Sequence, residues 1–81
     1  MVTKRFLFTW KTKGYDVERH NLITVSCKPT EVANSIAVAA DRATSIFKQS
    51  FGNLKKNDII SIQEIGDDNT PIGEPIVPVE G

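Results

Sequence analysis

The stretch Arg5-Phe6-Leu7-Phe8-Thr9-Trp10-Lys11 sets two of the four phenylalanines and the single tryptophan within five positions, on alternate residues. A repeat of two with aromatic enrichment specifies a half-buried β-strand, because successive strand side chains point to opposite faces. Over residues 2–11, Val2, Phe6, Phe8 and Trp10 share one face, with Lys4 among them near the start. Thr3, Arg5, Leu7, Thr9 and Lys11 share the other. A strand with this aromatic load must be central, and the rest of the chain has to pair with it or pack on it.

The segments that follow supply those partners. Thr12-Lys13-Gly14-Tyr15 reads as a turn, since Gly14 takes a positive φ at no steric cost. Residues 16–28 form the return strand, best in Leu22-Ile23-Thr24-Val25-Ser26-Cys27. A two-residue Lys13-Gly14 turn would set Trp10 opposite Val17, Phe6 opposite Asn21, Lys11 opposite Asp16 and Thr9 opposite Glu18. This register brings the apolar faces of both strands together. It leaves Phe6 and Phe8 without apolar partners directly opposite, so a bulge or a longer loop stays open as an alternative.

Pro29-Thr30-Glu31 then opens a helix, with Thr30 as N-cap and Glu31 at the positive end of the dipole. Val32, Ile36, Ala39, Ala40, Ala43, Phe47 and Phe51 recur at spacings of three and four, which predicts one amphipathic helix of about six turns. Gly52 is placed to end it, with Lys48 suited to the negative end. The alanines at its middle allow close approach to a sheet. Residues 53–58 are a polar connector, 59–65 a third strand, and Gly66-Asp67-Asp68-Asn69 a turn. Residues 70–81 contain Pro71, Pro75 and Pro78; each removes a ladder donor, so this segment is a weak edge strand or tail.

The order β-β-α-β, with a weak final strand, predicts a single α+β domain over residues 1–81. Its expected form is two-layer: an antiparallel sheet of three or four strands in the order 2-1-3, with one long amphipathic helix on one face. Eighty-one residues support one modest core and no second domain. No internal repeat is visible.

Charge is distributed unevenly along a chain whose net charge is zero. All ten Lys and Arg lie in residues 1–56 against four acids, so that part carries +6. Residues 57–81 hold six acids and no Lys or Arg, and carry −6. Such asymmetry points either to nucleic-acid contact or to two parts that neutralise each other on folding, and the second is the simpler reading. Cys27 is the only cysteine, which excludes an internal disulfide. With no secretory leader pattern and no apolar run of membrane-spanning length, a cytoplasmic protein with no membrane association is expected.

No constellation in the chain assigns an activity. There is no glycine-rich phosphate loop, no G-x-S-x-G and no Cys/His metal spacing around His20, the single histidine. Asp67-x-Asn69 lacks the twelve-residue span and closing glutamate of a calcium loop and reads as a turn. Cys27 reads as an inert core thiol, on the opposite face of its strand from His20. No catalytic residue, cofactor or metal is expected, and the chain is read as a non-enzyme.

Three surfaces are left. One is the open sheet face, with Arg5, Thr9, Lys11, Thr24, Ser26 and Lys28 around Leu7 and Leu22. Its cations and hydroxyls suit phosphate oxygens, although any solvated sheet face looks alike. A second is the aromatic stripe, which would be a base-stacking platform if the helix lay on the Leu7 side. Core packing is the favoured reading for Phe6 and Phe8, with Trp10 partly exposed at the hairpin end. The third, ranked first, is the hairpin tip, where Lys11, Lys13, Tyr15, Arg19 and His20 gather around Gly14. The contact residues expected are therefore Arg5, Trp10, Lys11, Lys13, Tyr15, Arg19, His20 and Lys28. The partner expected first is a protein, or a second copy of the chain through its sheet edges. Nucleic acid is the alternative, and a third reading makes the acidic C-terminal part a phosphate mimic.

Overall fold

The computed structural model describes residues 1–33, 35–51 and 57–77, the side chain of Phe51 excepted. Its elements are β1 (Val2–Thr12), β2 (Arg19–Cys27), α1 (Pro29–Val32), α2 (Ala37–Phe51), β3 (Asn57–Ile65) and β4 (Pro71–Ile76). The four strands form one antiparallel sheet in the order β2-β1-β3-β4, with β1 central as its aromatic content requires. The expected order 2-1-3 is present, and the proline-containing segment adds the fourth strand. Gly52 and Pro78 lie outside the described residues.

The alternation of β1 decides which face the helix covers. Phe6 and Phe8 are fully buried and Trp10 is 5% exposed. Ile23, Val25 and Cys27 of β2, Ala39, Ala40, Ala43 and Phe47 of α2, and Ile62 of β3 complete the cluster. The Phe47 ring stacks on Phe8 with centroids 4.9 Å apart, and it meets Trp10 edge-on at 5.6 Å. The three alanines let the helix backbone come close, and Phe47 fills the remaining depth at its far end. Burying each phenylalanine contributes roughly 1.5–3 kcal/mol, which makes these rings the main source of stability in so small a core.

Several expectations are corrected. The hairpin loop is not a two-residue turn but residues 13–18, opening with a turn in which the Tyr15 N–H bonds the Thr12 carbonyl at 3.1 Å and Gly14 takes φ +88°. The register is therefore displaced by two: Phe6 faces Ile23, Phe8 faces Asn21, Thr9 faces His20 and Trp10 faces Arg19. A shift of two preserves the faces, and it gives Phe6 the apolar partner that the shorter turn denied it. Lys11 faces Asp58 of β3 rather than Asp16. The third strand starts at Asn57, inside the expected connector, and a bulge interrupts its pairing with β1 between Thr9 and Trp10.

The six-turn helix is also corrected. It is divided into one turn, α1, and a 15-residue α2. Ser35 lies at the break and accepts a bond from the Ala37 N–H at 3.1 Å. Serine competes for backbone donors in this way, and so favours helix starts over helix interiors. Thr30 is not the N-cap: Pro29 takes the first helical position and Lys28 the cap, where its N–H donates to Glu31 Oε1 at 2.9 Å.

Candidate interaction surface

The cations that composition marked as free for a partner are largely engaged within the fold. Lys4 Nζ lies 3.6 Å from Glu64, and Lys13 Nζ lies 3.6 Å from Asp58. Arg5 reaches over its cross-strand neighbour Ile65 to donate to the Gly66 carbonyl at 3.1 Å and to Asn69 Oδ1 at 3.0 Å. That reach ties β1 to the β3–β4 turn. Ile65, opposite Arg5 in the register, is 8% exposed although it lies on the face away from the helix. Because β1 pairs with β3, the basic N-terminal part meets the acidic C-terminal part directly, and the two ion pairs cross between them.

The hairpin end divides by face. Trp10 is buried, contrary to the partial exposure expected: the longer loop keeps its side chain under Phe47. Its indole N–H donates to Asn21 Oδ1 at 2.7 Å, and the Arg19 guanidinium lies 5.6 Å from its ring centroid. Neither Trp10 nor the arginine stacked on it is presented as a free contact. His20 turns to the opposite face, where Nδ1 lies 3.0 Å from Thr9 Oγ1. Tyr15 is 68% exposed and Lys13 stands beside it in the loop; Lys28 is exposed at the far end of β2. Of the residues expected at a contact site, Lys13, Tyr15, Arg19, His20 and Lys28 are exposed, and Lys28 lies at the far end of β2 from the other four. Cys27 is fully buried on the helix side, away from His20.

The remaining candidate surfaces are the sheet edges, expected from the sequence to take a protein partner or a second copy of the chain. The edges differ sharply. At one margin β4 carries Pro71, Pro75, Glu74 and a Gly73 at φ +68°, features that remove donors and distort the ladder. This margin is the proline-interrupted edge segment that the sequence predicts, lying on the outer side of β3. At the other margin β2 runs from Leu22 to Cys27 without proline, glycine or charge.

The direction of the β2 backbone follows from two bonds. Arg42 donates to the Ser26 carbonyl at 3.5 Å from the flank of α2, which places that carbonyl on the outer side. The Gly66 N–H bond to Thr70 turns the even residues of β3 toward β4. The odd residues of β3 then bond β1, the even residues of β1 bond β2 through its odd residues, and His20, Leu22, Thr24 and Ser26 point their backbone groups outward.

Arg42 is held at this margin by Glu31, whose carboxylate it pairs with. The bond from the Lys28 N–H, and next the Arg42 guanidinium, hold the Glu31 carboxyl below its ordinary value; the same pairing raises Arg42. Bonds from the Thr70 hydroxyl and N–H likewise lower Asp68, in the turn that lacks a calcium-loop pattern. Among the described residues no group of three His, Cys, Asp or Glu is placed to hold a metal ion, and no helix is long and apolar enough to cross a membrane. A depression of about 280 Å³ lies beside Thr3, Arg5, Glu64 and Ile72, but its cations are already bonded within the fold.

Comparison with family models, with curated proteins and with solved structures finds no match to this chain.

Proposed function

We propose that the chain is a small non-catalytic binding module that acts through protein–protein contact, as an adaptor, subunit or inhibitor, and that β2 is its docking edge. The observation that carries this reading is the difference between the two sheet margins. One is blunted by Pro71, Pro75 and Gly73, while the other presents, from Leu22 to Cys27, an uncharged run with outward backbone groups at Leu22, Thr24 and Ser26. An open edge of this kind recruits a strand through main-chain bonds, with alternate side chains selecting the partner. Thr24→Pro removes one outward donor and leaves the bonds to β1 in place. Affinity capture from cells expressing the chain is expected to retain a partner on wild type and lose it on the Thr24→Pro variant, with circular dichroism unchanged. Equal capture by both chains would remove the edge from the proposal.

Nucleic-acid binding is a second reading, favoured by one observation: Tyr15 stands exposed beside Lys13 at the hairpin tip, with Lys11 at the end of β1. An aromatic among cations suits stacking on single-stranded bases. Fluorescence anisotropy with a single-stranded oligonucleotide would then show binding that weakens steeply with salt and is lost in Lys11→Glu/Lys13→Glu. Unchanged anisotropy at low salt sinks it.

A further inference from the structure

The geometry points to a second copy of this chain as the occupant of the β2 edge, paired antiparallel about a two-fold axis through Ile23; the inference rests on the edge reading above and names its partner. A two-fold axis perpendicular to the sheet keeps both helices on one face, and facing residues must then share a face. Only registers that pair even with even and odd with odd satisfy this.

Among them, the register centred on Ile23 sets Leu22 opposite Thr24 and Ser26 opposite His20, so that the outward-pointing residues bond one another across the seam. One step beyond each end of the strand it also sets Glu18 opposite Lys28, twice by symmetry, and both side chains are exposed. Centring on Thr24 would set Lys28 against His20. Centring on Leu22 would set Lys28 against Asp16, which lies in the hairpin loop three residues before β2 begins, and Glu18 against Ser26. The Ile23 register alone brings Glu18 and Lys28 into direct opposition.

The helix flank adds to this surface. Val38, Arg42 and Ile46 are spaced four apart, so they form one row on α2, and Arg42 places that row above the outer side of β2. Val38 is 38% and Ile46 39% exposed. With both helices on one face, the rows of two copies approach each other over the seam and cover apolar area that each copy alone leaves in water. Arg42 does not obstruct pairing at Ser26, because a carbonyl has two lone pairs and accepts a second bond.

Sedimentation equilibrium over a wide concentration range tests the pairing. Wild type is expected to be a dimer. Thr24→Pro is expected to be a monomer with unchanged circular dichroism. Lys28→Glu sets two carboxylates opposite each other at both ends, and is expected to raise the dimer dissociation constant about tenfold. Glu18→Lys is expected to do the same, and Glu18→Lys/Lys28→Glu to restore the wild-type value. A wild type that stays monomeric at submillimolar concentration overturns self-pairing, as does a dimer that is indifferent to Thr24→Pro. A dimer lost with Thr24→Pro but indifferent to both charge reversals overturns the Ile23 register. A monomer that still captures another protein through β2 separates the failure of this inference from that of the binding-module reading.

Discussion

Phe47 shows how much of the fold depends on one side chain. It lies 1% exposed between Phe8 and Trp10, so it is the point at which the helix is joined to the aromatic strand. Phe47→Ala removes both ring contacts and leaves a cavity that the sheet cannot close. The expected loss is about 3–5 kcal/mol, read as a large fall in the midpoint of thermal or urea unfolding. Glu31 gives a prediction in pH. Its carboxyl is lowered in the folded state, chiefly by the Lys28 N–H and then by Arg42, from an ordinary value of 4.5. A group lowered on folding stabilises the fold above its unfolded value, and that stabilisation is lost as pH falls through the folded value. Unfolding midpoints are expected to be flat at neutral pH and to fall below about pH 4.5, with a shallower fall in Glu31→Gln. An identical acid limb in the variant would show that Glu31 is not linked to folding. Trp10 marks what the residues alone did not show. Its place in the alternation put it on the core face, but its exposure depended on the loop that follows. Six loop residues rather than a short turn, and an asparagine placed to accept the indole N–H, put it inside.

The helical segment shows the same division at the scale of elements. The spacing of Val32, Ile36, Ala39, Ala40, Ala43 and Phe47 is continuous, and periodicity alone runs it into one helix. Ala39, Ala40, Ala43 and Phe47 do face the core, so the stripe was legible. The interruption lies in hydrogen-bonding chemistry that periodicity does not register. Ser35 takes the Ala37 N–H, and the helical bonds resume with Ala40 N–H to Ile36. Ser35→Ala leaves that donor without its side-chain acceptor, and is expected to cost about 1 kcal/mol in the unfolding midpoint. No change would mean that water serves the Ala37 N–H equally well. The hairpin differs, because a register two residues away keeps every side chain on its face.

Across the whole molecule, the opposed charges of the two parts of the chain are explained by the central place of β1. Pairing β3 beside it brings Glu64 to Lys4 and Asp58 to Lys13. These pairs are partly exposed, and each is worth at most about 1 kcal/mol. A double-mutant cycle on Lys4→Ala and Glu64→Ala is expected to give a coupling below about 1 kcal/mol that shrinks with added salt. A larger, salt-insensitive coupling would show that the pair is a determinant of strand order rather than a consequence of it. The candidate surface was the least legible feature at this scale. Basic and aromatic residues draw attention to the hairpin, yet Trp10 is buried there, and Arg5, Lys13 and Arg19 each have a partner within the fold. The uncharged β2 margin gains its meaning only from the strand that is, or is not, beside it.

The sequence by itself determined the kind of elements, their order and the central place of the aromatic strand, and it favoured the face that the helix covers. Those properties follow from the period of apolar residues and from turn chemistry, which are local. Only the tertiary structure decided the hairpin register, the break before α2, the burial of Trp10, the partners of the cations and the difference between the two sheet edges. Each of these depends on which groups from distant parts of the chain arrive at the same place, where hydrogen bonds and close packing select among arrangements that the local pattern leaves equal in energy.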